Sequence, residues 1–455
     1  MKTRRFFSGC LLFTLLLGLM LPTTASALQP PELHSKAALL MDANTGEIIF
    51  AQNEHQEMFP ASLTKIITSL LVVEAVDRGD LTLDQPITAT HSALTTDLSD
   101  DGSTADIKEG EVMTLEQYLS CVLVVSANEA CNVLAETVAG SVGDFVDQMN
   151  QRAKELGCKD THFVNTTGLH DPQHYTSAWD LYLITREALT HKDFQRICDM
   201  GKLSLPATNL SEPRTYHTTN FLIDTWRSVG YFNRDAHGVK TGHTSDAGYC
   251  LVSSATRGSM KLISVVLGGD RVTLPDGEIR TYSFYDTNLL FNWAFDHFSY
   301  RTLLSEDQII EREVEVALSK VDHVTIHPAQ EVSALLPKDL EPDQLEQTVT
   351  LNKEPVNAPI SEGDVLGKLT LSHDGTTYAE VDLLAFHDVE ASPLLVFWSK
   401  IQQFFDQTLV RILCGLVLAV LVGALLWKLT LGRRRYRYGR SVSGRSSRGY
   451  RGRRR

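Results

Sequence analysis

The sequence predicts an α/β chain of the α+β kind, in which a large domain (28–300) builds an antiparallel sheet flanked by helices, followed by a small all-β domain (301–390) and one transmembrane helix (412–431). Three observations predict it. Strand-like apolar runs at both ends of the large domain enclose a helical middle, short alternating runs broken by Pro and Gly fill 311–385, and an apolar stretch near the C-terminus carries a single charge. At 455 residues the chain exceeds one compact domain, and 43% hydrophobic with 22% charged residues excludes a disordered or fibrous protein.

Residues 1–27 combine Lys2, Arg4 and Arg5 with an apolar run from Phe6 to Met20 and the small-residue sequence Ala25-Ser26-Ala27, the pattern of a secretory signal peptide. Cys10 lies inside that run without a lipoprotein-like cleavage pattern. From 37 to 51 two apolar runs flank Asn44-Thr45-Gly46, which predicts a hairpin. A helix follows over 62–76, announced by Pro60 and apolar at helical spacing (Ile66, Ile67, Leu70, Leu71, Val73). Helical segments continue through 114–157, with Thr114 as a cap and Gly140 and Gly157 as stops. Strands return after Gly238, where the runs 249–254 and 262–268, parted by Arg257-Gly258, read as adjacent antiparallel strands, and a helix over 281–295 closes the unit.

Beyond 301, Pro337, Pro342, Pro355, Gly363 and Gly375 punctuate short alternating runs, as in a small β domain. The segment 391–411, with Trp398, Ile401, Phe404 and Phe405, is amphipathic and suited to a membrane surface. Residues 412–431 carry only Lys428 as a charge and are long enough to cross a bilayer. The tail 432–455 has 11 arginines and no acidic residue, so it is expected in the cytoplasm, with everything from Leu28 to about Asp406 outside. Those arginines suit a topology anchor and anionic lipid better than nucleic acid.

Charge is read by compartment. With the tail arginines, Lys428 and the three leader cations set aside, the overall −14 becomes −29 for residues 28–411, which keeps a secreted domain soluble and argues against a nucleic-acid partner. Five cysteines remain outside the leader and the span: Cys121, Cys131, Cys158, Cys198 and Cys250. An odd number without a C-x-x-C spacing predicts small buried side chains rather than a disulfide framework, a metal site or redox chemistry.

Ser62-Leu63-Thr64-Lys65 sets a hydroxyl and an amine three residues apart, one turn and one face of a helix. A serine needs an adjacent base to become a nucleophile, and a lysine serves only if its surroundings lower its pKa. Chance alone gives about one or two such pairs in a chain of this size. The order Ser126-Ala127-Asn128, then Lys240-Thr241-Gly242 on a predicted strand, changes that assessment.

On these three motifs the chain resembles the superfamily of penicillin-binding proteins and class A β-lactamases. Over 37–295 it is similar to the low-molecular-mass D-alanyl-D-alanine carboxypeptidases, through Pro60 to Lys65, Ser126 to Ala130, Phe163-Val164-Asn165 with Gly168-Leu169, His174 with Ser177-Ala178 and Asp180-Leu181, and Lys240 to Thr244 followed by Ala247-Gly248-Tyr249. The stretches 358–363 and 367–385 are similar to the C-terminal domain of the same enzymes.

The resemblance implies that Ser62 attacks the carbonyl between two D-alanines while Lys65 takes its proton. Ser126 would relay a proton to the leaving amine, and Asn128 would hold the peptide and position Lys65. Lys240, Thr241, Gly242 and Thr244 would bind substrate near its terminal carboxylate, with the backbone N–H groups of Ser62 and His243 as oxyanion donors. The implied partners are stem peptides ending in D-Ala-D-Ala and β-lactam antibiotics, with no cofactor and no metal. A catalytic His243 side chain is disfavoured because Lys65 fills the base role, and a metal site from His170, His174 and Asp180 lacks a matching motif. Asp100-Asp101 reads as a solvated loop, and the register of Arg280, a possible carboxylate binder, is left open. The alternatives are a β-lactamase, for which no deacylating glutamate is evident, and a non-catalytic wall-binding scaffold.

Overall fold

The computed structural model describes residues 29–99, 102–227 and 230–431. The leader 1–27, Asp100-Asp101 and the arginine-rich tail 432–455 lie outside the described residues. The chain divides into two compact units, one comprising residues up to Arg301 together with Leu335–Glu341, the other the remainder.

In the first unit the hairpin forms from β1 (Ala37–Asp42) and β2 (Ile48–Gln52). Asp42 ends β1, and its Oδ1 accepts the Asn44 and Thr45 amides, which fixes the turn. A short 3-10 turn, Ala61–Thr64, leads into helix α1 (Lys65–Asp77). The predicted helix therefore starts three residues late, and Ser62 sits on the tighter turn before it. α1 is apolar on nearly every side, with Ile66, Ile67, Leu70, Val72 and Val73 all buried, as expected of a central helix.

Around it run β3 (Pro86–Thr88), β4 (Val112–Thr114), α2 (Leu115–Ser120), a π-type turn Cys121–Val125, α3 (Asn128–Ala139) and α4 (Val142–Glu155). Thr114 closes a capping box with Gln117 on α2, and Gly140 ends α3, as the sequence predicts. Next come α5 (Ala178–Ala188), α6 (Lys192–Cys198), β5 (Lys202–Leu205) and β6 (Arg214–His217). The late strands are β7 (Ala236–Thr244), β8 (Gly248–Arg257) and β9 (Met260–Gly269), longer than the apolar runs that announced them, then β10 (Arg271–Thr273), β11 (Ile279–Thr281) and helix α7 (Tyr282–His297).

The main sheet has the order β2-β1-β9-β8-β7, so strands from both ends of the unit meet and β7 is an edge. Both faces are covered. Leu39 and Met41 join Val265 and Leu267 in the core shared with α1, while Ala38 and Leu40 join Leu262, Val266, Leu290 and Phe291 under α7. Alternation on a doubly covered strand explains why β1 reads as an unbroken apolar run.

In the second unit, which takes 302–304 of β12 (Phe298–Leu304) and 332–334 of β15 (Val332–Pro337), the whole strands are β13 (Ile310–Ala317), β14 (His323–Pro328), β16 (Glu346–Leu351), β17 (Val356–Asn357), β18 (Val365–His373) and β19 (Thr376–Ala385). Six of them form the sheet β16-β18-β19-β14-β13-β17 over a core including Val314, Ile326, Leu369 and Leu383. Helix α8 (Pro393–Asp406) buries no side chain and exposes Phe397, Trp398, Phe404 and Phe405. Helix α9 (Thr408–Leu431) starts four residues ahead of the predicted span. Among the described residues it is the one helix long and apolar enough to cross a membrane, over Thr408–Thr430 with a mean hydropathy of 2.7.

Candidate active site

Ser62 and Lys65 lie at the junction of the 3-10 turn and α1, so their side chains share a face. Lys65 is fully buried, and its Nζ lies 3.0 Å from Ser62 Oγ, 2.8 Å from Asn128 Oδ1 and 2.6 Å from the Thr167 carbonyl. None of these partners is a carboxylate. Burial accordingly pushes the Lys65 pKa down, against a smaller opposing pull from Cys131 and Glu129. A neutral amine has two N–H groups and one lone pair. Asn128 Oδ1 and the Thr167 carbonyl take the two hydrogens, which leaves the lone pair for the Ser62 hydroxyl, the arrangement a general base requires.

Asn128 opens α3, and its amide donates to the Ser103 carbonyl at 2.9 Å, which brings the preceding loop over the site. Ser126 follows the π-type turn in the left-handed region, at φ 70° and ψ 26°. It is buried and lines the same cleft as Ser62 and Asn128. Glu129, beside them, has its Oε1 engaged by the Thr104 hydroxyl and the Ala105 amide, both at 2.7 Å.

The opposite wall is the edge strand β7. Gly242 lies so close to the turn that carries Ser62 that a Cβ there would stand 2.9 Å from the Pro60 carbonyl oxygen and 3.2 Å from the Ser62 nitrogen. Only glycine lets the strand run along that turn. Thr241 shares a 2.6 Å hydroxyl contact with Thr219, and Thr244 Oγ1 accepts the Ala247 amide. Lys240 is buried, with Nζ donating to the Thr241 carbonyl at 2.9 Å, and burial together with the charge of Lys65 drives its pKa far down. The exposed His243 ring packs at a tilt against Tyr249, with ring centroids 4.1 Å apart.

The cleft has a volume of about 880 Å³ and is lined by Ser62, Ser126, Asn128, Thr241, Gly242, His243 and Thr244. Lys65 and Lys240 lie behind this lining. Sequence reasoning missed the Thr167 carbonyl, the Thr219 hydroxyl and Arg271, which also lines the cleft. Arg280, the arginine the sequence drew attention to, instead pairs with Glu278 and lies over the Tyr285 ring. Asp246 is the only carboxylate lining the cleft among the described residues.

His170, His174 and Asp180 do not converge: His170 faces Asp246, His174 contacts Thr64, and Asp180 accepts the amides of Lys159 and Asp160. Glu74, Glu187 and His191 lie close enough to share an ion, but Arg152 already bridges the two carboxylates at 2.7 and 2.9 Å. The five cysteines are unpaired, four of them buried and Cys158 half-buried.

Residues 24–271 match the family described as D-alanyl-D-alanine carboxypeptidase. The chain belongs to that family. Its class is thus the serine-type, penicillin-binding carboxypeptidases, as the motif order implied. Residues 298–391 match the C-terminal domain of penicillin-binding protein 5. D-alanyl-D-alanine carboxypeptidase DacF of Bacillus subtilis is 31% identical over 403 residues, covering 86% of this chain and 97% of the relative. The DacD enzyme of Escherichia coli is 30% identical over 422 residues, covering 89% and 99%. Among solved structures, penicillin binding protein 5 from Haemophilus influenzae matches with a TM-score of 0.62 at 29% identity, over 80% of this chain and all of that one. The DacD carboxypeptidase of Francisella tularensis gives 0.65 at 26% identity, over 82% and 98%.

The closeness of Gly242 to the turn of this carboxypeptidase generates a test. Gly242→Ala should slow covalent labelling by penicillin at least ~100-fold, because the methyl group displaces either the strand or the nucleophile's turn. Labelling rates paired with thermal melting check it; an unaltered rate would show that the contact does not constrain the site.

Proposed function

We propose that the protein removes the terminal D-alanine from peptidoglycan stem peptides ending in D-Ala-D-Ala, through an acyl-enzyme on Ser62. The observation that carries this reading is the Lys65 amine, buried without a counter-ion among the described residues and 3.0 Å from Ser62 Oγ. Ser62 Oγ attacks the carbonyl between the D-alanines as its proton passes to Lys65 Nζ. The resulting oxyanion is held by the backbone N–H groups of Ser62 and His243. Ser126 delivers a proton to the departing D-alanine amine, the C–N bond breaks, and an ester remains on Ser62. Water then hydrolyses the ester and returns the serine. Lys240, Thr241 and Thr244 face the substrate's terminal carboxylate, and Asn128 holds both the peptide and Lys65. A β-lactam enters the same first step and stays as a penicilloyl ester.

A β-lactamase would need a carboxylate to drive water onto that ester. Asp246 is the one carboxylate lining the cleft among the described residues, and it is more than half exposed beside His170. This favours a long-lived adduct. Transpeptidation and endopeptidase cleavage use the same acyl-enzyme, with an amine acceptor or a cross-linked substrate in place of the simple one.

The same reading includes an address: cleavage after Ala27, residues 28 to about 406 outside the membrane, a crossing by α9, and the basic tail inside. It is supported by the basic, apolar leader, by the length and hydropathy of Thr408–Thr430, and by the arginines that follow. The aromatic side chains of α8 suit the interface just outside the span.

The purified full-length protein in detergent should release D-alanine from an acyl-D-Ala-D-Ala peptide and take up one penicilloyl group, with Ser62→Ala abolishing both; release retained in that variant would sink the acyl-enzyme. Because only neutral Lys65 accepts a proton, acylation should rise with pH through its lowered pKa, and Lys65→Arg should lose roughly 10²- to 10⁴-fold. A pH-independent rate would remove Lys65 from the base role. Protease added to intact cells should digest the catalytic domain and spare an epitope on the tail, and the opposite pattern would reverse the topology.

A further inference from the structure

Behind the cleft, one buried contact reaches the nucleophile's turn from the far side. The His174 ring, packed edge-on to Phe163, places Nε2 2.7 Å from the hydroxyl of Thr64, one of the two residues between Ser62 and Lys65. Counting protons fixes the direction of every bond. The single hydroxyl hydrogen of Thr64 goes to the Ala61 carbonyl at 2.9 Å, since a carbonyl only accepts. Thr64 Oγ1 must then accept from His174 Nε2–H. On the other side of the ring the Val164 amide donates to Nδ1 at 3.1 Å, so Nδ1 carries no hydrogen. One species satisfies all three contacts: the neutral imidazole protonated on Nε2. Burial holds that state by pushing the His174 pKa down to about 4, with His162, Lys65 and His170 also opposing its charge and Asp171 favouring it.

What the relay holds is the strained part of the site. Ala61 lies in the left-handed region at φ 47°, sparsely populated by residues other than glycine. Its carbonyl presses on Gly168, where a Cβ would fall 1.8 Å from the oxygen. Gly168 follows Thr167, whose carbonyl takes a hydrogen of Lys65. Ala61, Thr64 and the 164–168 loop thus form one ring of contacts around the Ser62–Lys65 pair, and His174 joins its two halves.

We propose that His174 is a positioning residue for acyl transfer: its Nε2–H fixes the Thr64 hydroxyl, which holds the Ala61 carbonyl and with it the turn that aims Ser62 Oγ at Lys65 Nζ. This rests on the acyl-enzyme reading above. The full chain is acylated by penicillin in detergent, and the dependence of the rate on penicillin concentration separates the non-covalent binding constant from the rate of the covalent step. His174→Leu and Thr64→Val should each slow the covalent step by ~10- to 100-fold while leaving the binding constant within about twofold. His174→Gln, whose amide can donate to Thr64 and accept from Val164, should recover to within about threefold of wild type. The double variant His174→Leu/Thr64→Val should be no slower than the slower single variant, because both changes break one relay. Covalent rates unchanged in the single variants, multiplicative losses in the double variant, or a Gln variant as slow as Leu would each overturn the assignment. Should His174→Leu fail to fold, as its thermal melt would reveal, Thr64→Val and His174→Gln decide the question. A wild-type protein that is not acylated would instead defeat the acyl-enzyme reading itself.

Discussion

The site depends on burying a lysine amine without giving it an anion. An ammonium taken out of water and left unpaired costs several kcal/mol, which the group avoids by releasing its proton. Lys65 meets a hydroxyl, an amide oxygen and a backbone carbonyl, all neutral and all within 3.0 Å. These partners orient the amine without stabilising its charge as a carboxylate would. Had the Glu129 carboxylate reached the amine, an ion pair would have raised its pKa and removed the base. The Thr104 hydroxyl and the Ala105 amide engage that carboxylate elsewhere.

Much of the surrounding fold serves to bring those three groups together. The 3-10 turn presents the hydroxyl, the left-handed Ser126 ends a π-type turn so that α3 can open on Asn128, and the 165–169 loop aims its carbonyl inward. Asn165 holds that loop, its Oδ1 accepting the amides of Thr167 and Gly168 while its Nδ2 donates to the Leu169 carbonyl. The edge strand closes the arrangement at Gly242, where a side chain would collide with the turn.

What could be read from the sequence follows from which groups carry a side-chain signature. Ser62 and Lys65, Ser126 and Asn128, and Lys240 to Thr244 are local patterns, and all of them come together around the cleft. The sheet was legible because its strands are apolar runs bounded by turn residues, and the Thr114 and Gly140 helix ends because capping is local chemistry. Thr167 was not, since it contributes a backbone oxygen that any residue possesses. Arg280 drew attention and Arg271 was missed, because which arginine lines the cleft depends on how the chain turns after β9. His174 was visible as a letter of the family pattern, yet its contact with Thr64 spans 110 residues, and no local pattern predicts such a pairing. The return of Leu335–Glu341 to the first unit was likewise hidden, because a short strand carries no mark of which core it joins.

The two buried lysines bring the electrostatics to one point. Lys65 and Lys240 cannot both carry a charge at low cost, since neither has a counter-ion among the described residues and the charge of the first opposes that of the second. Arg271 is then the permanently charged cation of the cleft lining, within residues 28–411, whose sequence carries a large negative excess. A substrate that brings its own carboxylate changes the balance, because an anion near Lys240 favours the protonated form there. On the proposed mechanism, a charge gained at Lys240 would make a second one at Lys65 still less favourable, so Lys65 would stay neutral with a peptide ending in a carboxylate bound. A peptide without that terminal carboxylate would leave the charge between the two amines undirected. On that mechanism the carboxylate would contribute to the proton transfer as well as to binding.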